Sequence, residues 1–315
     1  MDRYLIAQQL VRAVRGRRSQ EATNRRLGRR SNVLHAWETG ARYPSASDFL
    51  RLLEVSGRVP TAVLGVLVPC EGASRSELVS CFLRALRRDI PHATLASRLG
   101  VNRNTIARWL MGATEPRLPD LLAFVEVASH RLLDFIGAIC DPQQVPHVAR
   151  ASADLEQQRR LAYSMPWTHA VLRALELEDY RRLPQHEPGF IAAKTGLSLE
   201  QEQECLRALA RSGQIKRRRK LWRLARVLTV DTRENPVQDA GLKLHWATVA
   251  AERLGAHGVP PDGFFSYNLF AVAECELERI RRVHLEYYER LRSIVASSRH
   301  PTRVVLANLQ LVPLG

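Results

Sequence analysis

Shifting the chain against itself by 72 positions aligns two segments without a gap, and no other feature limits the fold as tightly. Val11-Arg12-Ala13-Val14-Arg15 falls on Leu83-Arg84-Ala85-Leu86-Arg87, and Leu27-Gly28 falls on Leu99-Gly100. Asn32 meets Asn104, Trp37 meets Trp109, Gly40 meets Gly112 and Pro44 meets Pro116. Glycine, tryptophan and proline recurring in register mark one folded module used twice in succession.

Each copy breaks into the same parts. Apolar residues at helical spacing predict a first helix over Tyr4 to Arg15 and again over Ser76 to Arg88, with Ile6, Leu10 and Val14 matching Leu78, Phe82 and Leu86. Ser19 is a good N-cap for a second helix that runs to Leu27. Gly28 permits the left-handed backbone that turns sharply into the next element. A third helix is expected over Ser31 to Thr39 and over Arg103 to Met111, each stopped by a glycine. Pro44 and Pro116 prevent continuation, and an apolar fourth helix follows (Phe49, Leu50, Leu52, Leu53; Leu121, Leu122, Phe124, Val125). The stretches Val59 to Val68 and His130 to Ile139 are apolar enough to supply fifth helices.

A helix, a short glycine-bearing turn and a second helix form the helix-turn-helix, whose second helix fits the major groove of DNA. In the first copy Val33, Leu34 and Trp37 face inward, which leaves Arg29, Arg30, Ser31, Asn32, His35 and Ala36 on the outer side. In the second, Ile106 and Trp109 pack while Asn102, Arg103, Asn104 and Arg108 face outward. Arginine can donate two bonds to guanine and asparagine can pair with adenine, so these residue types suit base reading. Arg25 and Arg29 suit phosphate, and Arg42 completes the DNA-facing set of the first copy. Charge agrees: 47 Lys+Arg against 32 Asp+Glu leave a formal +15, which attracts polyanions. Residues 1–58 are the most basic stretch, with 12 Lys/Arg and 5 Asp/Glu, against 10 and 8 in residues 59–150.

The segment SQEATNRRLGRRSNVLHAWETGARYP resembles the lambda-repressor-like, or xenobiotic-response-element, family of DNA-binding domains. The resemblance covers about 55 residues in each copy. It implies a five-helix domain in which Gln20 holds a phosphate or base and Ser31, Asn32 and Ala36 lie in the groove. It also implies a link from Arg15 on the first helix to Glu38, the acid after the tryptophan. The second copy departs from the pattern, with His92 in place of Gln20 and Leu110 in place of Glu38.

The segment 141–146 is polar and proline-bearing and reads as a linker. Beyond it, Glu156 to Leu177 reads as helix, and PGFIAAKTGLSLEQEQECLRALARSGQIKRRRKLWRL resembles a winged helix. There Ile191 to Lys194 is a short helix, Ser198 caps a second helix over Leu199 to Arg211, and strands Gln214 to Lys216 and Leu221 to Leu224 flank the tip Arg217-Arg218-Arg219. Glu200, Glu202 and Glu204 on that second helix would repel phosphate, whereas Lys216, Arg217, Arg218 and Arg219 suit it. After Arg226 the pattern predicts strands at Val227 to Val230, Phe264 to Val272 and Val304 to Val312, with helices over Asp239 to Leu254 and Glu274 to Val295.

The expected fold is therefore mainly α: tandem five-helix repressor-like helix-turn-helix modules over 1–70 and 71–141, a winged-helix-like unit over 150–225, and a small two-layer α/β domain over 226–315. This order resembles a bacterial regulator family whose last domain has no assigned function, and implies that the C-terminal half senses or dimerises. The expected function is sequence-specific regulation of transcription on double-stranded DNA; an antitoxin or a phage or plasmid control protein would use the same modules. Partners beyond DNA are a second copy of the chain and an unidentified small-molecule or protein effector.

Phosphate-binding, dinucleotide-binding, zinc-protease and serine-hydrolase motifs are all missing from the sequence, so no catalytic residue, metal or cofactor is expected. Glu274, Glu276 and Glu278 with His284 do not make a metal site, because carboxylates two apart point to different faces of a helix. Five scattered cysteines, Cys70, Cys81, Cys140, Cys205 and Cys275, read as reduced thiols. With no 18-residue apolar run and no signal-peptide pattern, the expected location is the cytoplasm, away from membranes.

Overall fold

Helix starts keep the spacing of the sequence repeat. In a computed structural model describing every residue except Ala73, Thr229, Arg233, Glu234, Pro260, Pro261, Asp262 and Gly315, the chain is mainly α-helical with one two-stranded sheet. The first five helices are α1 (Arg3–Arg15), α2 (Gln20–Arg26), α3 (Val33–Thr39), α4 (Ala46–Val55) and α5 (Pro60–Gly65). The next five are α6 (Arg75–Arg87), α7 (His92–Leu99), α8 (Arg103–Leu110), α9 (Leu118–Ser129) and α10 (Leu132–Ile139). Arg3 to Arg75, Gln20 to His92, Ala46 to Leu118 and Pro60 to Leu132 are each separated by the same 72 positions. Only α3 and α8 break step, because Asn32 caps the first while the cap of the second falls at Asn102.

The chain divides into two compact units, Met1–Glu156 and Gln157–Gly315. In the first, Ile6, Leu10 and Val14 of α1 are buried, as are Leu78, Phe82 and Leu86 of α6, so one stripe of each amphipathic helix faces its core. Helix capping follows the residue types. Ser19 accepts from the Ala22 amide, Ser45 from Asp48, and Ser74 forms a reciprocal capping box with Glu77. Gly28 and Gly100 hold φ of 66° and 68° in the turns that follow α2 and α7. The expected linker at 141–146 is not slack: Pro142–Gln144 is a 3-10 turn, and α11 (Pro146–Ser164) starts at once.

The second unit begins within α11 and continues with α12 (Thr168–Ala174), α13 (Glu178–Arg182), α14 (Phe190–Thr195) and α15 (Leu199–Arg211). A hairpin of β1 (Ile215–Arg218) and β2 (Leu221–Leu224) follows, paired antiparallel from Ile215↔Leu224 to Arg218↔Leu221. Its core gathers Val171, Leu172, Leu175, Tyr180, Ile191, Cys205, Leu206, Leu209, Ile215 and Leu221. The single helix expected over Glu156 to Leu177 is two, because Pro166 follows Met165 and cannot continue a helix. Burial raises the thiols of Cys70 and Cys140 to about 11 and that of Cys205 to about 12, which keeps them protonated at neutral pH.

The expected two-layer α/β domain over 226–315 is corrected. Its described residues hold two helices, α16 (Pro236–His257) and α17 (Glu274–Ser297), and no strand. The reason is clearest where Val227 to Val230 was expected to be a strand, a span whose Thr229 lies outside the described residues. The Gln158 amide of α11 donates to the Arg226 carbonyl and accepts from the Leu228 amide, both at 2.9 Å, and so does the work of a neighbouring strand. Arg159 and Tyr163 bond the carbonyls of Asp231 and Thr232 in the same way. Phe264 to Val272 forms neither helix nor strand, and Phe264, Tyr267 and Leu269 are exposed. Alternation over Val304 to Val312 likewise forms no strand; the segment is held by Pro301, whose carbonyl accepts from Glu178, and by Asn308, which bonds the Trp246 carbonyl. Period-two alternation names an amphipathic ribbon, and a sheet also needs a neighbour.

Candidate nucleic-acid interface

The turn between α2 and α3 is fixed by a chain of polar groups that starts in the core. Glu38 on α3 is buried and accepts from Arg15 Nε at 2.5 Å, closing the link implied by the family resemblance. Its second oxygen accepts from Gln20 Nε2 at 2.8 Å. Gln20 in turn accepts from Asn32 Nδ2 at 3.2 Å. Asn32 Oδ1 caps α3 by accepting from the His35 amide, and also accepts from buried Asn24 at 2.7 Å. Asn24 had escaped the reading of the sequence; a polar residue on the inward side of α2 was its signal. On the other face of α3, buried Leu34 and Trp37 lock the helix to the module.

What this leaves outside is well defined. Arg29, Arg30, Ser31, Asn32, His35 and Arg42 are exposed, and Ala36 is half-buried. Arg29 is engaged by Asp48 at 2.6 Å, and Arg25 by Glu21 at 2.9 Å. Gln20 and Asn32 hold the turn with the same amides that the resemblance assigns to DNA. Arg30 and Arg42 carry no side-chain hydrogen bond or ion pair among the described residues, so their donors are open.

In the second copy Asn102, Arg103, Asn104 and Arg108 are all exposed. Asn102 is the N-cap of α8, accepting from the Asn104 amide at 2.8 Å. The guanidinium groups of Arg103 and Arg108 have no protein partner among the described residues. With Leu110 where the first copy has Glu38, the ion pair has no counterpart; Arg84 instead donates to the Leu110 carbonyl at 2.8 Å.

In the second unit Lys216, Arg217, Arg218, Arg219 and Lys220 are exposed along the hairpin. The tip is displaced from its expected place. Arg217 and Arg218 belong to β1, and the two-residue turn is Arg219-Lys220, with φ of 47° and 63°. Arg217 lies over the Trp222 ring at 5.9 Å. The acids of α15 also sort differently from expectation: Glu200 and Glu204 are exposed, but Glu202 is fully buried. Its carboxylate accepts from the amides of Gly189 and Ala192 at 3.1 and 2.6 Å and faces His186 at 3.6 Å, so it closes the start of α14 and is not available to repel phosphate. His186 also meets the Tyr180 hydroxyl, which accepts from the Trp222 amide of β2. Burial, opposed by Glu202, lowers the His186 pKa.

Among the described residues no cluster of three metal-ligating side chains occurs, and no helix is long and apolar enough to cross a membrane. No curated protein and no solved structure matches the chain. Residues 147–314, more than half of the sequence, match a domain of unknown function, DUF4423, and the chain belongs to that family.

Proposed function

We propose that the protein is a sequence-specific regulator of transcription that binds double-stranded DNA through helix-turn-helix modules. The carrying observation is the edge of α3. Its inward face is fixed by Trp37 and Leu34, its start is fixed by the Glu38–Gln20–Asn32 chain, and Arg30 and His35 stand exposed beside it. A rigid helix with an open arginine at its leading edge has the form needed to reach base edges in the major groove. Arg42 and the hairpin cations Lys216 to Arg219 add phosphate contacts in this reading, and the formal +15 favours encounter with a polyanion. Residues 226–315 leave Phe264, Tyr267 and Leu269 exposed, which supports a role for this region in binding a second copy or an effector.

The test is selection of bound duplexes from a random pool with the full chain at low salt. The expected result is a defined consensus that Arg30→Ala relaxes at particular positions, with a loss of about 1 to 3 kcal/mol at the preferred site. Recovery of no consensus, or a consensus indifferent to Arg30→Ala, would overturn the assignment.

A further inference from the structure

Inside the first unit the two repeats embrace around a local two-fold axis. Ser45 and Arg117, which occupy equivalent places in the repeat, form an antiparallel bridge. The Ala46 amide donates to the Pro116 carbonyl at 3.0 Å, and the Leu118 amide to the Pro44 carbonyl at 2.9 Å, so the two bonds exchange when the repeats exchange. Helix packing has the same symmetry: α1 packs on α9, its equivalent α6 packs on α4, and the fifth helices α5 and α10 pack on each other. Charged contacts cross the seam in both directions between the same helix pairs, though not at strictly equivalent positions. Arg3 at the head of α1 reaches Asp120 of α9 at 3.7 Å, and Arg75 at the head of α6 reaches Glu54 of α4 at 2.7 Å. Arg58 donates to the Ile139 carbonyl at 2.5 Å, and Arg131 to the Val66 carbonyl at 3.3 Å. These are the relations of an isologous dimer, made within one chain.

The two edges so placed are chemically unequal. The first offers Arg30, His35 and Arg42 beside an asparagine tied into its own turn. The second offers Arg103, Asn104 and Arg108, and α8 starts two places earlier in the repeat than α3, which brings Arg103 and Asn104 into the helix itself. Resting on the reading given under Proposed function, we infer that one chain reads one bipartite DNA site with two dissimilar arms, α3 taking one arm and α8 the other. The two-fold arrangement requires the arms to run in opposite directions, and the bridged seam fixes their separation. For both helices to meet the groove on one face of the duplex, the arm centres stand about one helical turn, roughly 34 Å, or a multiple of it apart.

The experiment uses the full chain and its selected duplex. One chain is expected on each pair of arms by native mass spectrometry. Arg30→Ala is expected to relax one arm only and Arg103→Ala the other only, each lowering affinity about ten-fold or more. Insertion of about five base pairs between the arms, half a turn, is expected to lower affinity to that of a single arm. Both arginines are exposed and have no side-chain partner among the described residues, so neither variant should unfold the protein. A palindrome whose two arms both relax with Arg30→Ala, a consensus indifferent to Arg103→Ala, or tolerance of the half-turn insertion would overturn the inference while leaving the DNA-binding function standing. A chain that ignores duplexes at low salt overturns both.

Discussion

Glu38 shows how one buried charge can organise an exposed surface. Its carboxylate is out of water and is held by Arg15 on one side and Gln20 on the other. Removing one partner of a buried ion pair leaves an uncompensated charge, at a cost of about 3 to 5 kcal/mol in the general case. Arg15→Ala is therefore expected to destabilise the first unit by about 3 kcal/mol, read as an earlier denaturant midpoint for that unit. Because the same carboxylate holds Gln20 and so Asn32, Glu38→Gln is expected to loosen the α2–α3 turn, seen as faster amide exchange at His35. His186 gives a second expectation at this scale. Its pKa is lowered chiefly by burial, so the fold favours the neutral ring. Its contribution is present above the unfolded pKa of about 6.5 and is lost as pH falls through the lower folded value. The second unit should thus lose stability as pH falls below about 6.5, and His186→Gln should flatten that slope; an unchanged slope would remove His186 as its cause. The Arg15–Glu38 pair was legible in advance because its residue types stand at the places the resemblance assigns. The burial of Glu202 was not, since Glu200, Glu202 and Glu204 look alike until the pitch of α15 turns the middle one toward Gly189 and Ala192.

Among elements, those that carry their own hydrogen bonds were the readable ones. The tight turns at Gly28 and Gly100 and the caps at Ser19 and Ser198 are local, so their residue types are sufficient to place them. The expected strands at 264–272 and 304–312 depended on neighbours that the described residues do not provide, and 226–228 found the Gln158 side chain in place of a strand. The hairpin β1–β2 was foreseen, but Arg217 and Arg218 belong to its first strand and the turn falls at Arg219 and Lys220, both in left-handed backbone. A side chain there costs about 1 kcal/mol relative to glycine. Lys220→Gly is accordingly expected to stabilise the second unit by about 1 kcal/mol in equilibrium unfolding, and loss of stability would contradict the turn geometry. The same hairpin supplies a test of phosphate contact. If Arg217, Arg218 and Arg219 lie against the backbone of DNA, changing all three to Ala should make the dependence of log affinity on log salt shallower by up to about three, with the consensus unaltered.

At the level of the whole molecule, the 72-residue repeat pointed to two like sets of helices but not to how they would meet. The seam is built from Ser45, Arg117, Arg3, Arg75 and the packing of α1 on α9, α6 on α4 and α5 on α10, positions that show no pattern until the repeats are set face to face. Ser47 illustrates this: both its amide and its hydroxyl bond Glu115, at 3.1 and 2.6 Å, across 68 residues of sequence. A fragment ending at residue 70 would bare the surfaces of α1 and α4 that α9 and α6 now cover. Such a fragment is expected to self-associate at micromolar concentration or to unfold, whereas the fragment 1–156 should remain monomeric; sedimentation of the two distinguishes the cases.

The covalent joining of the repeats around Ser45 and Arg117 has a consequence for how such a protein can change. In an assembly of identical subunits every substitution is imposed on both halves, so neither recognition surface can drift without dragging the other along. Here each codon touches one side only, so if α3 and α8 read DNA as proposed, each is free to acquire a vocabulary of its own while the seam between them is preserved.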